Sequence, residues 1–468
     1  MVFSSLAFLY YFLPLTVILY YFVPGKAKNM VLLTASLLFY FYGEPVYTIL
    51  LLFSALSDYL HGRFIERHRG DLRAKYGLFS SLLINIGLLG CFKYADFIIK
   101  SINGILGTDI VLLGLSLPLG ISFFTFQTMS YSIDIYRGKI SAQKNFFTFF
   151  TYVSMFPQLI AGPIVRYQEV ADSLRGNRKI TIDHLAYGIK RFIIGLSKKV
   201  LIANQLGEFV LVFREATSPS ILFYWSYAFA FTLHIYFDFS GYSDMAIGLG
   251  KIFGFSFPEN FQYPLSASSI TDFWRRWHQT LTRWFRDYVY IPLGGNRVDT
   301  LRWARNILSV WFLTGLWHGA AWNFVLWGMY FGLLLILEKH VLLRSLSRIP
   351  VLFQHIYVIL LVSFSFVIFN GDGLSGFFQD ARGLLGFEGI PFYTPETGYQ
   401  LLNYAGIFLV AAIAATPIIK QAKSRLYEAL PLKSVKFLLE PSAYLFLLFT
   451  ITVYLVNQSY NPFIYFRF

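Results

Sequence analysis

Apolar segments about as long as a membrane span recur through most of this 468-residue chain, and they restrict it to folds that suit a lipid bilayer. A helix needs about 20 apolar residues to cross a bilayer, because it rises about 1.5 Å per residue through a hydrocarbon core about 30 Å thick. Only 14% of the residues are charged, compared with about 25% in soluble domains. Barrel strands would show alternating polarity, which this sequence lacks. The sequence therefore predicts an all-α polytopic membrane protein.

The net charge of +14 is explained by the excess of Lys and Arg in the cytoplasmic loops of membrane proteins, since the basic residues cluster between apolar segments. We therefore predict contact with the lipid bilayer and no binding of nucleic acid. The single cysteine, Cys91, excludes an internal disulfide and a Cys-rich metal site. We expect no metal site and no permanently bound cofactor.

Hydropathy and the positions of the basic residues predict the order of the membrane segments. The basic segment 63–75 and the loop 420–436 are predicted on the cytoplasmic side, and the acidic loop 372–396 on the outside. A short span is expected to end at Phe213. The other predicted spans lie near residues 4–22, 29–43, 46–61, 76–99, 111–135, 221–249, 351–369, 402–419 and 439–457.

Four segments do not fit simple spans. Residues 146–163 are apolar but have basic residues on both sides, which favours a segment that re-enters the membrane. Residues 185–199 mix basic and apolar residues at helical spacing, as interfacial helices do, and residues 251–305 suit amphipathic helices at the cytoplasmic surface. Residues 306–337 are too long for one span, so we predict a re-entrant helical hairpin with its turn at Gly315 to Gly319 and His318 at the tip.

We predict one integral-membrane domain over residues 1–468. Residues 1–136 would supply the N-terminal spans and residues 341–468 the C-terminal spans. The re-entrant segments make residues 137–340 the predicted catalytic core.

His318 is an ionisable group in a stretch without charged residues between Arg305 and Glu338. An ionisable side chain at membrane depth is costly, which favours a functional role. A neutral imidazole can accept a proton from an attacking hydroxyl. Gly315 and Gly319 are expected to let a substrate approach closely. The alternative is a core histidine that is hydrogen-bonded to a carbonyl group.

Two further histidines lie in polar or aromatic motifs. His278 ends a segment rich in Trp and Arg, where it is either functional or an interfacial residue. His234 and Asp238 are four residues apart on one helical face, which suits either a base with its orienting carboxylate or a buried structural pair. The arginines of residues 275–305 could bind the phosphates of a donor such as an acyl-coenzyme A, or they could simply reflect the topology.

Several motifs in order resemble the membrane-bound O-acyltransferase family, and within it the branch that acetylates alginate. The motifs are Met1–Ser5, Pro118–Gln127, Phe156–Pro163, Tyr236–Gly248, Asp272–His278, Arg286–Asn296 and Gly315–Ala320. The resemblance implies a ring of about 11 transmembrane helices, with re-entrant and interfacial helices, around a central chamber.

The resemblance also implies site residues. His318 matches the essential catalytic histidine, and His278 matches the second polar position across the reaction chamber. Asp238 and Tyr242 lie in a family signature that does not include His234, which weakens the pairing of His234 with Asp238. The candidate donor- or substrate-binding residues are Trp317, Trp274, Arg275, Arg276, Arg286, Asp238, Tyr242 and Asn296.

The activity that the resemblance implies is O-acetyl transfer. Acetyl-coenzyme A would be the cytoplasmic donor, and the acetyl group would pass to an extracytoplasmic acetyltransferase or carrier of a polysaccharide export system. The final acceptor would be an exopolysaccharide such as alginate or cellulose, and the location the plasma (inner) membrane of a bacterium. Two alternatives remain open: a transporter of the acetyl donor, or an acyltransferase that acts on teichoic acid, lipid or protein.

Overall fold

The computed structural model describes residues 2–176, 178, 180–429 and 433–457, and within these ranges its regular secondary structure is entirely helical. The predicted all-α class is confirmed. Parts of the predicted loop 420–436 and of the predicted C-terminal region 341–468 lie outside the described residues.

Among the described residues, five helical segments are long and apolar enough to cross a membrane by length and composition. A shorter apolar helix covers Phe8–Phe22. The predicted ring of about 11 spans and the sides assigned to the loops stay predictions. The five segments are Leu72–Leu106, Trp322–Leu346, Val351–Asn370, Pro395–Ala414 and Leu438–Asn457.

The chain divides into two compact units, Met1–Phe192 with Ser243–Pro258 and Ile193–Tyr242 with Glu259–Phe468. The predicted division into N-terminal spans, catalytic core and C-terminal spans stays a prediction. Helices of the first unit are α1 (Leu13–Phe22), α2 (Lys28–Gly43), α3 (Thr48–Arg67), α4 (Leu72–Leu89), α5 (Ala95–Leu106), α6 (Ile121–Tyr136), α7 (Phe146–Ser154), α8 (Phe156–Leu159), α9 (Tyr167–Leu174) and most of α10 (Ile182–Ser197).

The predicted span at 111–135 is wrong in its first half. Helix α6 starts only at Ile121, and the preceding residues 107–120 have no regular structure. Gly114 and Gly120 adopt φ angles of 62° and 76°, which a right-handed helix does not allow. Pro118 also restricts the residue before it to extended conformations. The conformational preferences of Gly114, Pro118 and Gly120 therefore prevent a helix here, although the segment is apolar.

The segment predicted to re-enter the membrane, 146–163, is broken as its proline and glycine indicate. Helix α7 ends at Ser154, and Met155 leaves the helical region with φ −53° and ψ 112°. The chain then forms one short helix, α8, and continues without regular structure through buried residues to Arg166. Re-entry into the membrane itself stays a prediction.

The second unit contains the candidate site. Residues 185–199, predicted as an interfacial helix, and the short span predicted to end at Phe213 belong to one helical run over residues 182–214, which passes through a π-helical turn at Lys198–Ala203. The remaining helices, which belong to this unit except for residues 243–252 of α12, are α11 (Asn204–Arg214), α12 (Ile221–Ile252), α13 (Ile270–Arg276), α14 (Gln279–Phe285), α15 (Thr300–His318), α16 (Trp322–Leu337), α17 (Leu343–Leu346), α18 (Val351–Asn370), α19 (Gly373–Leu385), α20 (Pro395–Ala414), α21 (Ile418–Ala429) and α22 (Lys433–Asn457).

Two features of this unit differ from the sequence prediction. The acidic loop 372–396 contains a helix, α19, which the sequence did not predict. The span predicted near 402–419 begins earlier, at Pro395, because Thr394 accepts a hydrogen bond from the backbone N–H of Thr397 and caps the helix. It ends correspondingly earlier, at Ala414.

Helices α15 and α16 form the predicted helical hairpin, but its turn covers residues 319–321 rather than Gly315 to Gly319. Gly315 lies inside α15, and a Cβ there would collide with the carbonyl oxygen of Phe324. The space beside Gly319 is occupied by the ring of Phe324. The expected role of these two glycines in admitting a substrate is therefore corrected: they let the two helices pack closely. His318 is the last residue of α15.

Candidate active site

The end of α15 places His318 in a buried aromatic environment. Its side chain is 5% exposed. The ring centroid of His318 lies 4.9 Å from that of Trp327 and 5.4 Å from that of Phe369, both edge to face. Asn323, in the first turn of α16, donates from its side-chain amide to the carbonyl oxygens of Phe369 and Gly371 at 3.2 Å each. The start of α16 is thus fixed against the end of α18, and both supply rings to the surroundings of His318.

His278 lies between α13 and α14 and is 1% exposed. Its backbone is left-handed, with φ 42° and ψ 51°, a conformation that costs about 1–3 kcal/mol in residues other than glycine and concentrates at functional sites. The Nδ1 atom of His278 is 3.1 Å from the Oδ1 atom of Asn260. The backbone N–H of Gln279 also donates to the carbonyl oxygen of Asn260, at 3.0 Å. These bonds hold the residue in its unusual conformation.

The contacts of Asn260 identify the protonated nitrogen of His278. The same Oδ1 atom accepts a bond from the backbone N–H of Thr280 at 3.3 Å. A backbone N–H can only donate, so this atom is the amide oxygen and the Nδ1 of His278 carries the proton. Burial lowers the pKa of His278 to about 3, so the ring is neutral near pH 7. Its Nε2 atom therefore carries the lone pair that a base needs.

His318 and His278 both contact the ring of the same aromatic residue, Trp317. The ring centroid of Trp317 lies 5.0 Å from that of His318 and 5.8 Å from that of His278. Trp317 itself is 3% exposed. Both imidazoles are thus buried and contact one indole ring, whereas two interfacial histidines would face water.

The same unit contains a cavity of about 460 Å³, whose lining includes neither His318 nor His278. Thr314, one helical turn before His318, belongs to its wall, as do four predicted donor-binding residues: Trp274, Arg275, Arg286 and Asn296. The remaining lining residues are Thr271, Leu281, Thr282, Phe285, Tyr290, Trp303, Ile307, Val310, Trp311, Leu335, Lys339 and Leu343. Three cationic side chains and several aromatic rings in one cavity suit an anionic molecule with an apolar portion.

Glu338 anchors the helix that carries Trp274 and Arg275. Its buried carboxylate accepts bonds from the backbone N–H groups of Ile270 at 2.6 Å and Thr271 at 2.8 Å. Both N–H groups belong to the first turn of α13, where helix N–H groups have no partner within the helix. The partial positive charge of the helix start also stabilises a carboxylate there. Glu338 therefore fixes one wall of the cavity.

Asn296 holds a second part of the cavity wall in place through two hydrogen bonds. Its Oδ1 accepts bonds from the hydroxyl of Tyr290 at 2.6 Å and from the indole N–H of Trp303 at 3.2 Å. The ammonium group of Lys339 lies 3.6 Å from the centre of the Trp303 ring, a cation–π contact. Asn296 thus positions aromatic residues of the cavity, while donor contact by Asn296 itself stays a prediction.

Other predicted residues lie outside the cavity lining. Arg276 pairs with Asp272 at 3.0 Å. Asp238 pairs with Lys199 at 2.5 Å, and both side chains are 2% exposed. Tyr242 is buried in α12, one helical turn beyond Asp238. The Nδ1 atom of His234 lies 2.5 Å from the carbonyl oxygen of Ala203, which favours a structural role for this histidine.

Sequence reasoning missed Asn260, Lys199, Glu338 and Trp327. Asn260 lies 18 positions before His278, and no local pattern connects them. Lys199 falls in the segment predicted as an interfacial helix, but it is buried in a π-helical turn, a feature common at functional sites. Glu338 carries a detectable signal, because it is an acidic residue directly at the end of a long apolar stretch.

Comparisons with known proteins show the family of the chain. The family model described as MBOAT, membrane-bound O-acyltransferase family, matches residues 102–377. The probable alginate O-acetylase AlgI of Azotobacter vinelandii is 40% identical over 381 residues, which cover 80% of this chain and 76% of that protein. The peptidoglycan O-acetyltransferase of Helicobacter pylori is 34% identical over 425 residues, 83% of this chain and 81% of that protein. The teichoic acid D-alanyltransferase of Bacillus subtilis is 31% identical over 228 residues, 46% of this chain and 58% of that protein.

Proposed function

The chain belongs to the membrane-bound O-acyltransferase family, and on that premise we propose that it moves an acetyl group from acetyl-coenzyme A across the membrane for O-acetylation of an exported polysaccharide. The observation that supports this function is the position of His318, buried at the end of α15 one helical turn from a cavity with cationic and aromatic walls. Acetyl transfer needs both a base and a place for the donor.

His318 is the proposed general base. The imidazole accepts the proton of the attacking hydroxyl while the hydroxyl oxygen bonds to the thioester carbonyl carbon. It then returns that proton to the departing thiolate. His278 faces the same buried Trp317 ring, and its neutral Nε2 orients the acceptor hydroxyl or the donor.

The cavity suits a phosphorylated thioester donor. Arg275, Arg286 and Lys339 provide three positive charges in its lining, and guanidinium groups bind phosphate oxygens through paired hydrogen bonds. Trp274 and Trp311 line the same cavity and provide apolar surface for the pantetheine arm. Coenzyme A has both phosphate groups and a pantetheine arm. It would bind as a substrate rather than as a permanent cofactor.

The proposed acceptor is inferred from the activities of the relatives. The names of these relatives refer to alginate, peptidoglycan and teichoic acid, which are polymers outside the cytoplasm. We propose an exported polysaccharide such as alginate or cellulose, reached through an extracytoplasmic acetyltransferase or carrier. The bacterial relatives and the membrane-bound family favour the plasma membrane of a bacterium. Transfer to teichoic acid, lipid or protein is the alternative.

The test uses purified protein reconstituted in vesicles with acetyl-coenzyme A labelled in the acetyl group. Wild-type protein should cleave the thioester, and His318→Ala should abolish cleavage while the protein stays folded and present at the same level. Cleavage that persists in His318→Ala would overturn the assignment. Passage of intact labelled donor into the vesicles, without cleavage, would instead support the transporter alternative.

A second measurement addresses the acceptor. Mass spectrometry of the surface polymers of cells with and without the protein should show which polymer loses O-acetyl groups. The His318→Ala cells should match the cells that lack the protein. An unchanged polysaccharide together with a changed lipid or secreted protein would move the proposal to that acceptor.

A further inference from the structure

Two buried indole groups of the second unit donate to no hydrogen-bond acceptor within the described residues. They belong to Trp274, which is 6% exposed, and Trp327, which is 1% exposed. A buried donor left without an acceptor costs about 1–3 kcal/mol, so native proteins rarely keep one without a use. An indole N–H can only donate, and any ligand that satisfies it supplies an acceptor atom such as a carbonyl oxygen.

Both indoles lie between the cavity and His318. Trp274 lines the cavity. Its ring centroid is 5.7 Å from that of Trp327, and the centroid of Trp327 is in turn 4.9 Å from that of His318. A donor that enters through the cavity therefore meets Trp274 first and reaches Trp327 beside the proposed base. At these separations the rings are in edge-to-face contact, so a small group such as an acetyl thioester would lie alongside the row of rings and not between them.

We propose that Trp327 is a catalytic residue whose indole N–H donates to the carbonyl oxygen of the thioester, and that Trp274 donates to an acceptor atom farther along the same donor. This inference rests on the proposed acetyl transfer. The acceptor oxygen forms a bond to the carbonyl carbon, the π electrons move to the carbonyl oxygen, and the hydroxyl proton moves to His318. When the carbonyl re-forms, the carbon–sulfur bond breaks and the thiolate takes the proton from the imidazolium.

The indole of Trp327 serves this step because negative charge on the carbonyl oxygen grows as the intermediate forms. A donor already fixed in a buried site stabilises that charge without reorganising water. The edge-to-face contacts of Trp327 with His318, Phe331 and Phe369 hold its ring in place. Trp274 contacts the donor equally before and during the reaction, so its contribution falls on binding.

The experiment compares Trp→Phe variants, which keep an aromatic ring and remove the N–H, in the acetyl-coenzyme A assay by thiol release. Trp327→Phe should lower kcat about 10²–10³-fold with little change in KM. Trp274→Phe should raise KM and leave kcat nearly unchanged. Trp225→Phe is the matched control, because that indole N–H already donates to the carbonyl oxygen of Leu384 at 3.1 Å. The control should keep the wild-type kcat.

Where Trp327→Phe fails to fold, benzothienylalanine at position 327 keeps the indole shape and removes only the N–H. A wild-type kcat in the folded Trp327→Phe or benzothienylalanine variant overturns the role of Trp327. A change in KM without a change in kcat overturns it as well. A wild-type protein that cleaves the thioester no faster than His318→Ala contradicts the proposed function itself, and the role of Trp327 fails with it. Normal wild-type activity combined with an active Trp327→Phe variant contradicts only this inference.

Discussion

The amide oxygen of Asn260 lies 3.1 Å from the Nδ1 atom of His278 and determines which nitrogen of that imidazole is protonated. The two residues are 18 positions apart, and both are buried. The same oxygen accepts the hydroxyl of Thr280 at 2.9 Å. One amide therefore fixes the tautomer, the orientation and the backbone conformation of His278.

Removing this amide should impair activity through the tautomer of His278. We expect Asn260→Ala to lower kcat about 10- to 100-fold, the usual cost of losing a partner that orients a functional imidazole. Asn260→Asp keeps an acceptor oxygen but adds a negative charge, which should raise the pKa of His278 and shift the pH profile of kcat. Thr280→Val is the control, because it removes a donor to Asn260 and leaves His278 bonded. Wild-type kcat in Asn260→Ala would contradict the positioning role.

The stability of the protein should fall in acid because of His278. Burial lowers the pKa of His278 to about 3 in the folded protein, below its value of about 6.5 in an unfolded chain. Between these values the unfolded chain binds more protons, so stability is full above about pH 6.5 and falls as the pH drops towards 3. Each pH unit in that window costs up to about 1.4 kcal/mol. Between pH 8 and pH 4 the melting temperature should fall more steeply in wild type than in His278→Gln. Equal slopes of melting temperature against pH would contradict the prediction.

The packing of the α15–α16 hairpin should be required to position His318. A Cβ on Gly328 would collide with the carbonyl oxygen of Trp311 and lie 3.1 Å from the Cα of Gly315. We expect Gly328→Ala to cost about 1–3 kcal/mol of unfolding free energy, as overpacking does, and to lower kcat. Gly104→Ala is the matched control, because nothing lies within 4 Å of a Cβ there. Equal melting temperatures for the two variants would show that the helices can separate without cost.

The buried pair of Lys199 and Asp238 should be structural. Each side chain is 2% exposed, so Lys199→Met leaves a buried carboxylate without its cation and should destabilise the protein by about 3–5 kcal/mol. The double variant Lys199→Met with Asp238→Leu should recover much of that loss. A double-mutant cycle of thermal unfolding measures the coupling. A double variant that is folded but inactive would instead favour the predicted substrate-binding role of Asp238.

The cationic lining of the cavity should act on donor binding. Arg286 lines the cavity and is exposed, so Arg286→Gln should raise the KM for acetyl-coenzyme A about 3- to 10-fold, less at high salt. The KM for acetyl-pantetheine, which has no phosphate, should change little. Arg348→Gln removes an exposed charge outside the cavity lining and serves as the control. A rise in KM of equal size for both donors would argue against phosphate recognition by Arg286.

Hydropathy and motif order predicted much of this molecule. The helical class, the hairpin of α15 and α16 and the family follow from local patterns, because membrane helices need long apolar runs and the motifs are contiguous in sequence. Trp274, Arg275, Arg286 and Asn296 were predicted together, and they line one cavity. Errors occurred where turn chemistry or helix capping competed with hydropathy, as in the first half of the span at 111–135 and at the start of α20.

The sequence by itself determined that the chain is a helical membrane protein of this family and that His318 and His278 are its candidate catalytic groups. Only the tertiary structure decided how those groups are held: Asn260 on His278, Glu338 at the start of α13, Lys199 on Asp238 and Trp327 beside His318. The physical reason is that hydropathy patterns and motifs describe only residues that are close together in sequence. Hydrogen bonds and ring contacts between distant segments depend on which helix faces meet, and that is settled only by packing.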